Sequence, residues 1–142
     1  MKKTAIFSAL LAGAFFCTLH AESVKVASPN GKLVVEVNDN GGKASYSLLY
    51  NGKRFLDTSR LGVVSNVGDF TQGLKLTGAQ ASKIDESYKL TRIKCSEVHY
   101  VANRMRIDFA NAQNQLMTVT FNVSDNDVAF RYSFYITGTW YR

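Results

Sequence analysis

Between Gln115 and Phe134 the chain reads QLMTVTFNVSDNDVAFRYSF. Met117, Val119, Phe121 and Val123 take alternate positions, and Val128, Phe130, Tyr132 and Phe134 resume the alternation after the polar tip at 124–127. Successive side chains of an extended chain point to opposite faces, so this pattern predicts two antiparallel strands sharing one core face. Upstream, Met105, Ile107 and Phe109 alternate with Arg104, Arg106 and Asp108, a strand with one dry and one wet face. The tip at 111–114 returns it to the final hairpin.

The first half has the same character. The Ser28-Pro29-Asn30-Gly31 turn precedes a strand at 32–37, residues 38–42 turn the chain, and a return strand follows at 43–50. Asn51-Gly52 suits the positive φ angles of a tight hairpin, so residues 53–56 are expected to pair with the strand before them, giving a three-strand meander. A short strand is expected from Arg60 to Val64, and a loop over 68–73. Leu74, Leu76 and Ile84 continue the apolar side, residues 78–82 carry no clear pattern, and extended chain resumes at Ser87 and runs through Val101. Strands with one apolar face close a core only by stacking on a second sheet, so the fold class is all-β, an antiparallel β-sandwich. With 142 residues, 46% of them hydrophobic, a single core is the limit.

The N-terminus departs from this pattern. Met1-Lys2-Lys3 precedes an uncharged, largely apolar run to Leu19, and Glu22 is the first acidic residue. The run is short for a membrane span and lacks a basic stop-transfer cluster, so residues 1–21 read as a secretory signal cleaved after Ala21, with the domain at 22–142. The product is expected to be exported, periplasmic or extracellular, without a membrane anchor. Losing Lys2 and Lys3 takes the formal net charge from +6 to +4. The remaining basic residues are spread along the strands, and most aromatics fall on inward positions, which speaks against nucleic acid. Cys17 leaves with the signal, so Cys95 has no internal disulfide partner and reads as a small packed side chain.

Candidate chemistry is sparse. His99 is the only histidine after the signal, and no nucleophile elbow, zinc motif or glycine-rich phosphate loop occurs. Asp85-Glu86 is the obvious carboxylate pair, but neighbours on an extended chain face opposite sides, whereas glycoside hydrolysis needs two carboxyl groups facing one bond. Asp125 and Asp127 share a face at a hairpin tip, where acidic residues serve the turn. Neither they nor Asp39-Asn40 match a calcium-loop spacing. No catalytic, metal or cofactor site is therefore expected in this chain.

The wording of the strands adds what these motifs do not. FNVSDNDVAFRYSF resembles a strand pair in the N-terminal β-sandwich of family 97 glycoside hydrolases, and residues 28–63 resemble the opening of that domain. Its Ser-Arg/Thr-Leu-Gly motif matches Ser59-Arg60-Leu61-Gly62, and its Asp-Glu-Thr-Trp/Tyr block matches Asp85-Glu86-Ser87-Tyr88. Glu97 and Asn103 fall at its next acidic and asparagine positions. Thr91-Arg92-Ile93-Lys94 and the stretch at 100–104 depart from its Trp-Gly-Glu and Asn-His-Tyr-Asn-Glu runs.

The resemblance implies part of a mutarotase-like super-sandwich that packs on a (β/α)₈ barrel. In an exo-acting α-glucosidase or α-galactosidase of this kind, the barrel carries the catalytic glutamates and a calcium site, and it is the part that meets the α-linked oligosaccharide. The likeness fades over residues 136–142, so a fragment lacking the barrel is expected, with a scaffolding role. The alternative is a freestanding secreted carbohydrate-binding or adhesive module. Its sugar platform would draw on Tyr46, Tyr50, Tyr135, Trp140 and Tyr141, read as outward aromatics.

Overall fold

The computed structural model describes residues 23–90, 97–136 and 139–141, the last four of these for their backbone only. The signal segment, Cys95 and the departures at 91–94 lie outside the described residues, as do the side chains of Trp140 and Tyr141. Two antiparallel sheets form the sandwich. Sheet one is a meander of β1 (Ser23–Ala27), β2 (Leu33–Asn38), β3 (Ser45–Tyr50) and β4 (Lys53–Arg60). A small hairpin, β5 (Val64–Ser65) with β6 (Gly68–Asp69), interrupts the chain. Sheet two then runs β7 (Lys75–Lys89), β8 (Glu97–Ala110), β9 (Leu116–Ser124), β10 (Val128–Ile136) and β11 (Thr139–Tyr141), neighbours in that order.

The meander has one more strand than the sequence pattern suggests, because β1 pairs with β2 through Val24↔Val37 and Val26↔Val35. β4 is also longer than expected, running on to Arg60. The Asn51-Gly52 turn behaves as its residues demand, with φ of 49° and 76° and Tyr50 paired to Lys53. Residues 78–82, unreadable as a sequence, lie inside β7. That strand needs little apolar pattern because it is an edge strand, and most of its residues are exposed.

Register sets the core. Leu33, Val35 and Val37 of β2 face inward with Val26, and meet Ile107, Phe109, Met117, Val119, Phe121 and Val123 from sheet two. β1 lies against β8 and β2 against β9. One end of the sandwich is closed by the 61–74 segment, whose Leu61, Phe70 and Leu74 are buried. Backbone bonds from Leu61 N–H to Ala44 O and from Leu74 N–H to Gly42 O, both 2.9 Å, fasten it. Buried Asn111 completes the seal: its Nδ2 donates to Asp69 O and Gln115 Oε1, and its Oδ1 accepts from Gln113 and Gln115 N–H. This satisfaction is what lets a polar amide sit at 4% exposure.

Candidate functional site

Four surfaces hold the residues that could carry function. The first is an arm. β9 pairs with β8 only from Ala102 onward, so residues 97–101 pair with 85–89 alone and form a two-stranded ribbon beyond the sandwich. Asp85, Glu86, Tyr88 and Glu97 all stand on it and are exposed. Asp85 pairs with Val101 and Glu86 with Tyr100, so the two carboxylates take opposite faces. Asp85 Oδ1 lies 2.7 Å from His99 Nε2, a pair open to water on both sides. Tyr100 bonds Asp127, and burial together with that carboxylate raises its hydroxyl pKa above the ordinary value.

The second surface is the groove of about 430 Å³ between edge strand β1 and strands β7 and β8. Asn103 spans it, its Nδ2 donating to Ala27 O at 2.7 Å. This residue therefore ties the two sheets together. At the same end Asp125 Oδ1 accepts from Asn30 N–H at 2.9 Å, joining two turns, while Ser124 Oγ accepts from Asn126 and Asp127 N–H. Ser124 builds the tip turn, while the Asp125 carboxylate links it to another turn and the Asp127 carboxylate engages Tyr100. Among the described residues, no three His, Cys, Asp or Glu side chains gather as a metal site.

The remaining motif residues serve the closed end. Leu61 is fully buried. A Cβ on Gly62 would stand 3.0 Å from Thr71 Cα, so a glycine is what lets the segment fold back on itself. Ser59 is half-buried on β4. Beside this segment, Asp69 accepts from both the hydroxyl and the N–H of Thr71, and those bonds lower its carboxyl pKa.

The third surface is the aromatic end of the sandwich, and here one expectation is corrected. Tyr46 is not outward. The Val37↔Tyr46 register puts it on the core face with Leu48, and its ring lies 5.7 Å from Phe121 and 5.5 Å from Phe130. Pairing with β2, unbroken from Leu33↔Tyr50 to Asn38↔Ser45, fixes the phase of β3 and leaves no choice of face. Tyr50 shares this face but ends the strand, 47% exposed. Tyr135 is 39% exposed on sheet two, so Tyr50 and Tyr135 do not share a platform. In register, Trp140 lies opposite Tyr135 and Tyr141 opposite Phe134.

Sequence reasoning missed what happens to β10. Phe130, Tyr132 and Phe134 carry the core pattern, yet Phe130 is 40% exposed and the other two only half-buried. Phe70, Phe134, Tyr132, Phe130, Phe121 and Tyr46 form a continuous chain of ring contacts whose most exposed member is Phe130. Burial, then the neighbouring Tyr46, raises the Tyr132 pKa. The signal that could have found this opening was the aromatic content of β10, heavier than one small core needs.

The fourth surface, the outer face of sheet two, bears Arg104, Arg106, Arg131, Asn122 and Gln80 in adjoining registers. No helix among the described residues is long and apolar enough to cross a membrane.

Comparison with known proteins follows the strands. A crystal structure of a β-arabinopyranosidase superposes on 81% of this chain with a TM-score of 0.77 and 50% identity. Structures of a Glycoside Hydrolase Family 97 enzyme from a Pseudoalteromonas species, in complex with panose and with acarbose, match 78% of it at a TM-score of 0.72 and 24% identity, a likeness of fold. The chain spans 18% and 17% of those proteins' lengths. No curated protein sequence matches. Residues 26–139 match the family model described as Glycosyl-hydrolase 97 N-terminal, and with most of its length so matched the chain belongs to the N-terminal domain family of the family 97 glycoside hydrolases.

Proposed function

We propose that this chain is a non-catalytic scaffold of an exo-acting α-glycosidase, walling the sugar site of a catalytic barrel that is not among these 142 residues. The observation that carries the reading is the open aromatic end. Phe130 at 40% exposure, with half-buried Tyr132 and Phe134, leaves apolar surface that further polypeptide would cover. The arm supports it as well, because Asp85, Glu86, Tyr88 and Glu97 take no place in the core.

The substrate class follows from the relatives. One neighbour is a β-arabinopyranosidase, and others hold panose and acarbose. A β-L-arabinopyranoside has the ring configuration of an α-D-galactoside without its exocyclic carbon, so these names agree on α-galactoside-like or α-glucoside chemistry. Calcium, on this reading, belongs to the barrel. Residues 1–21 direct export and are removed, which N-terminal sequencing of the secreted product checks.

The test uses the purified chain. Light scattering is expected to show self-association through uncovered apolar surface and free sheet edges. Aryl α-galactoside, α-glucoside and β-L-arabinopyranoside are expected to stay intact. Monosaccharide release at an enzymic rate, or a clean monomer with cooperative unfolding, refutes the proposal.

A further inference from the structure

Sheet one has four strands and sheet two five, and the mismatch falls at one edge. β1 lies against β8, β2 against β9, and Tyr46 of β3 against Phe130 of β10. β7, next outward from β8, is left without a counterpart in sheet one. Its Ala79, Ala81 and Lys83 share the core-side face of Ile107, Met105 and Asn103, their partners in register, yet all three are exposed. Beside them runs the outer edge of β1, which no strand pairs among the described residues. The groove of about 430 Å³ lies here, where a fifth strand of sheet one would run.

The phase of β1 presents its edge for pairing. Ser28 N–H donates to Leu33 O, and in an antiparallel ladder alternate residues bond the same neighbour, so Val26 and Val24 also turn toward β2. Lys25 and Ala27 then turn their N–H and C=O groups toward the groove. The bond from Asn103 Nδ2 to Ala27 O agrees with this phase, because it reaches that carbonyl from β8. The Lys25 N–H and C=O and the Ala27 N–H remain for a further strand, and an edge of this kind is a template for strand addition. Val26, Ala27, Ala81 and Met105 supply aliphatic walls, with no aromatic ring among the lining residues, which suits peptide side chains better than the face of a sugar. Ala79 and Ala81 are short, leaving room above β7 for larger apolar side chains at alternate positions of an entering strand.

Charge selects the occupant. Lys25, Lys83 and Arg104 line the groove and no carboxylate does. Glu36 holds Lys25 and Asn122 holds Arg104, whereas Lys83 has no carboxylate partner among the described residues. Asp85, the next residue on that face of β7, is engaged by His99. A second copy would bring the wrong sign, since edge strand β4 carries Lys53, Arg54 and Arg60 against Asp57, and β1 itself carries Lys25. We propose that the groove binds a single extended strand of another polypeptide, apolar at alternate positions and acidic at the end that reaches Lys83. The strand joins sheet one beside β1 and covers the core-side face of β7. The groove and the aromatic end on which the scaffold reading rests lie at opposite sides of sheet two, so the two readings fail separately.

Fluorescence anisotropy of the full chain tests it, with a labelled peptide that alternates leucine and threonine between flanking glutamates, and the same peptide flanked by lysines. The glutamate peptide is expected to bind, and the lysine peptide to bind about fivefold more weakly or not at all. Proline lacks an N–H and is tolerated where an edge strand's N–H faces outward, so Lys25→Pro removes one bond to the peptide and keeps those to β2. It weakens binding about tenfold, while Lys25→Thr, which keeps the N–H, weakens it far less. Lys83→Gln weakens the glutamate peptide about threefold. Ala81→Phe fills the space above β7 and abolishes binding. Amide exchange at Lys25 and Ala27 slows when the peptide binds. Circular dichroism checks each fold, and Ala81→Phe decides if Lys25→Pro does not fold. The proposal falls if neither peptide binds, if both bind equally, if Lys25→Thr weakens binding as much as Lys25→Pro, or if a galacturonate hexamer displaces the peptide, the mark of an acidic-sugar site. It falls as well if the chain alone associates and Lys25→Pro dissolves the association, since a second copy then holds the groove.

Discussion

Phe121 and Phe130 face each other in one rung of β9 and β10, their ring centroids 5.2 Å apart, yet Phe121 is 0% exposed and Phe130 40%. Chemistry and strand position are matched; only the depth of cover differs. Phe121→Ala removes a buried ring and leaves a void roofed by both sheets, at a cost of about 4 kcal/mol. Full burial of a phenylalanine side chain contributes about 1.5–3 kcal/mol. With 40% of it already in water, Phe130→Ala loses about 1–2 kcal/mol and leaves no closed void.

Urea unfolding at 25 °C, followed by circular dichroism, measures both. The midpoints are expected to differ with an unchanged denaturant slope, since the surface exposed on unfolding is nearly the same. The double variant should cost less than the sum by about 0.5–1.5 kcal/mol, because the rings touch. If Phe121→Ala does not fold, the leucine substitutions keep the same order at smaller size. Equal losses at the two positions would refute the reasoning, since they would mean that β10 is as well covered as β9.

Asn103→Ala removes the bond to Ala27 O that joins the sheets, and is expected to cost about 1–2 kcal/mol in the same assay, with faster amide exchange in β1. Gly52→Ala forces a side chain onto φ 76° and costs about 1–2 kcal/mol. Gly62→Ala costs about 1–3 kcal/mol for a different reason, its new methyl standing 3.0 Å from backbone of the 70–74 loop. Tyr100 and Tyr132 both have raised pKa values, so folding favours their protonated forms. Their contribution is complete below the ordinary value near 10 and is lost as pH climbs through the higher folded values. Tyrosinate absorbance is expected to show Asp127→Asn returning Tyr100 toward its ordinary pKa while Tyr132, raised by burial and Tyr46, stays put.

Strand patterning carried the fold because most strands pack one face and wet the other. The final hairpin, the Met105–Ile107–Phe109 strand and the Asn51-Gly52 turn all stand where their residues place them. β7 escaped notice for a physical reason: it is an edge strand, exposed over most of its length, so Gly78, Ala79, Gln80, Ala81 and Ser82 show no apolar face. Tyr46 was misjudged because a tyrosine's polar tip suits either face, and only the register decides. The arginines of sheet two were invisible as a group as well, since Arg106 and Arg131 meet only when β8, β9 and β10 align.

The motif residues divide by what they do for the chain. Leu61 fills the closed end, Gly62 lets its segment fold back, and Asn103 links the sheets; each solves a folding problem within this sandwich. Asp85, Glu86, Tyr88 and Glu97 stand outside the core on a ribbon whose strands pair only with each other, where Asp85 reaches across to His99. A two-stranded ribbon is marginal in water by itself. The aromatic opening at β10 and the ribbon at β7 and β8 lie at opposite sides of sheet two. A protein packed only for its own stability would bury the first and shorten the second. On the proposed reading, in which the sandwich is one wall of a larger enzyme, the rings would be its seat and the ribbon would reach toward what the wall encloses.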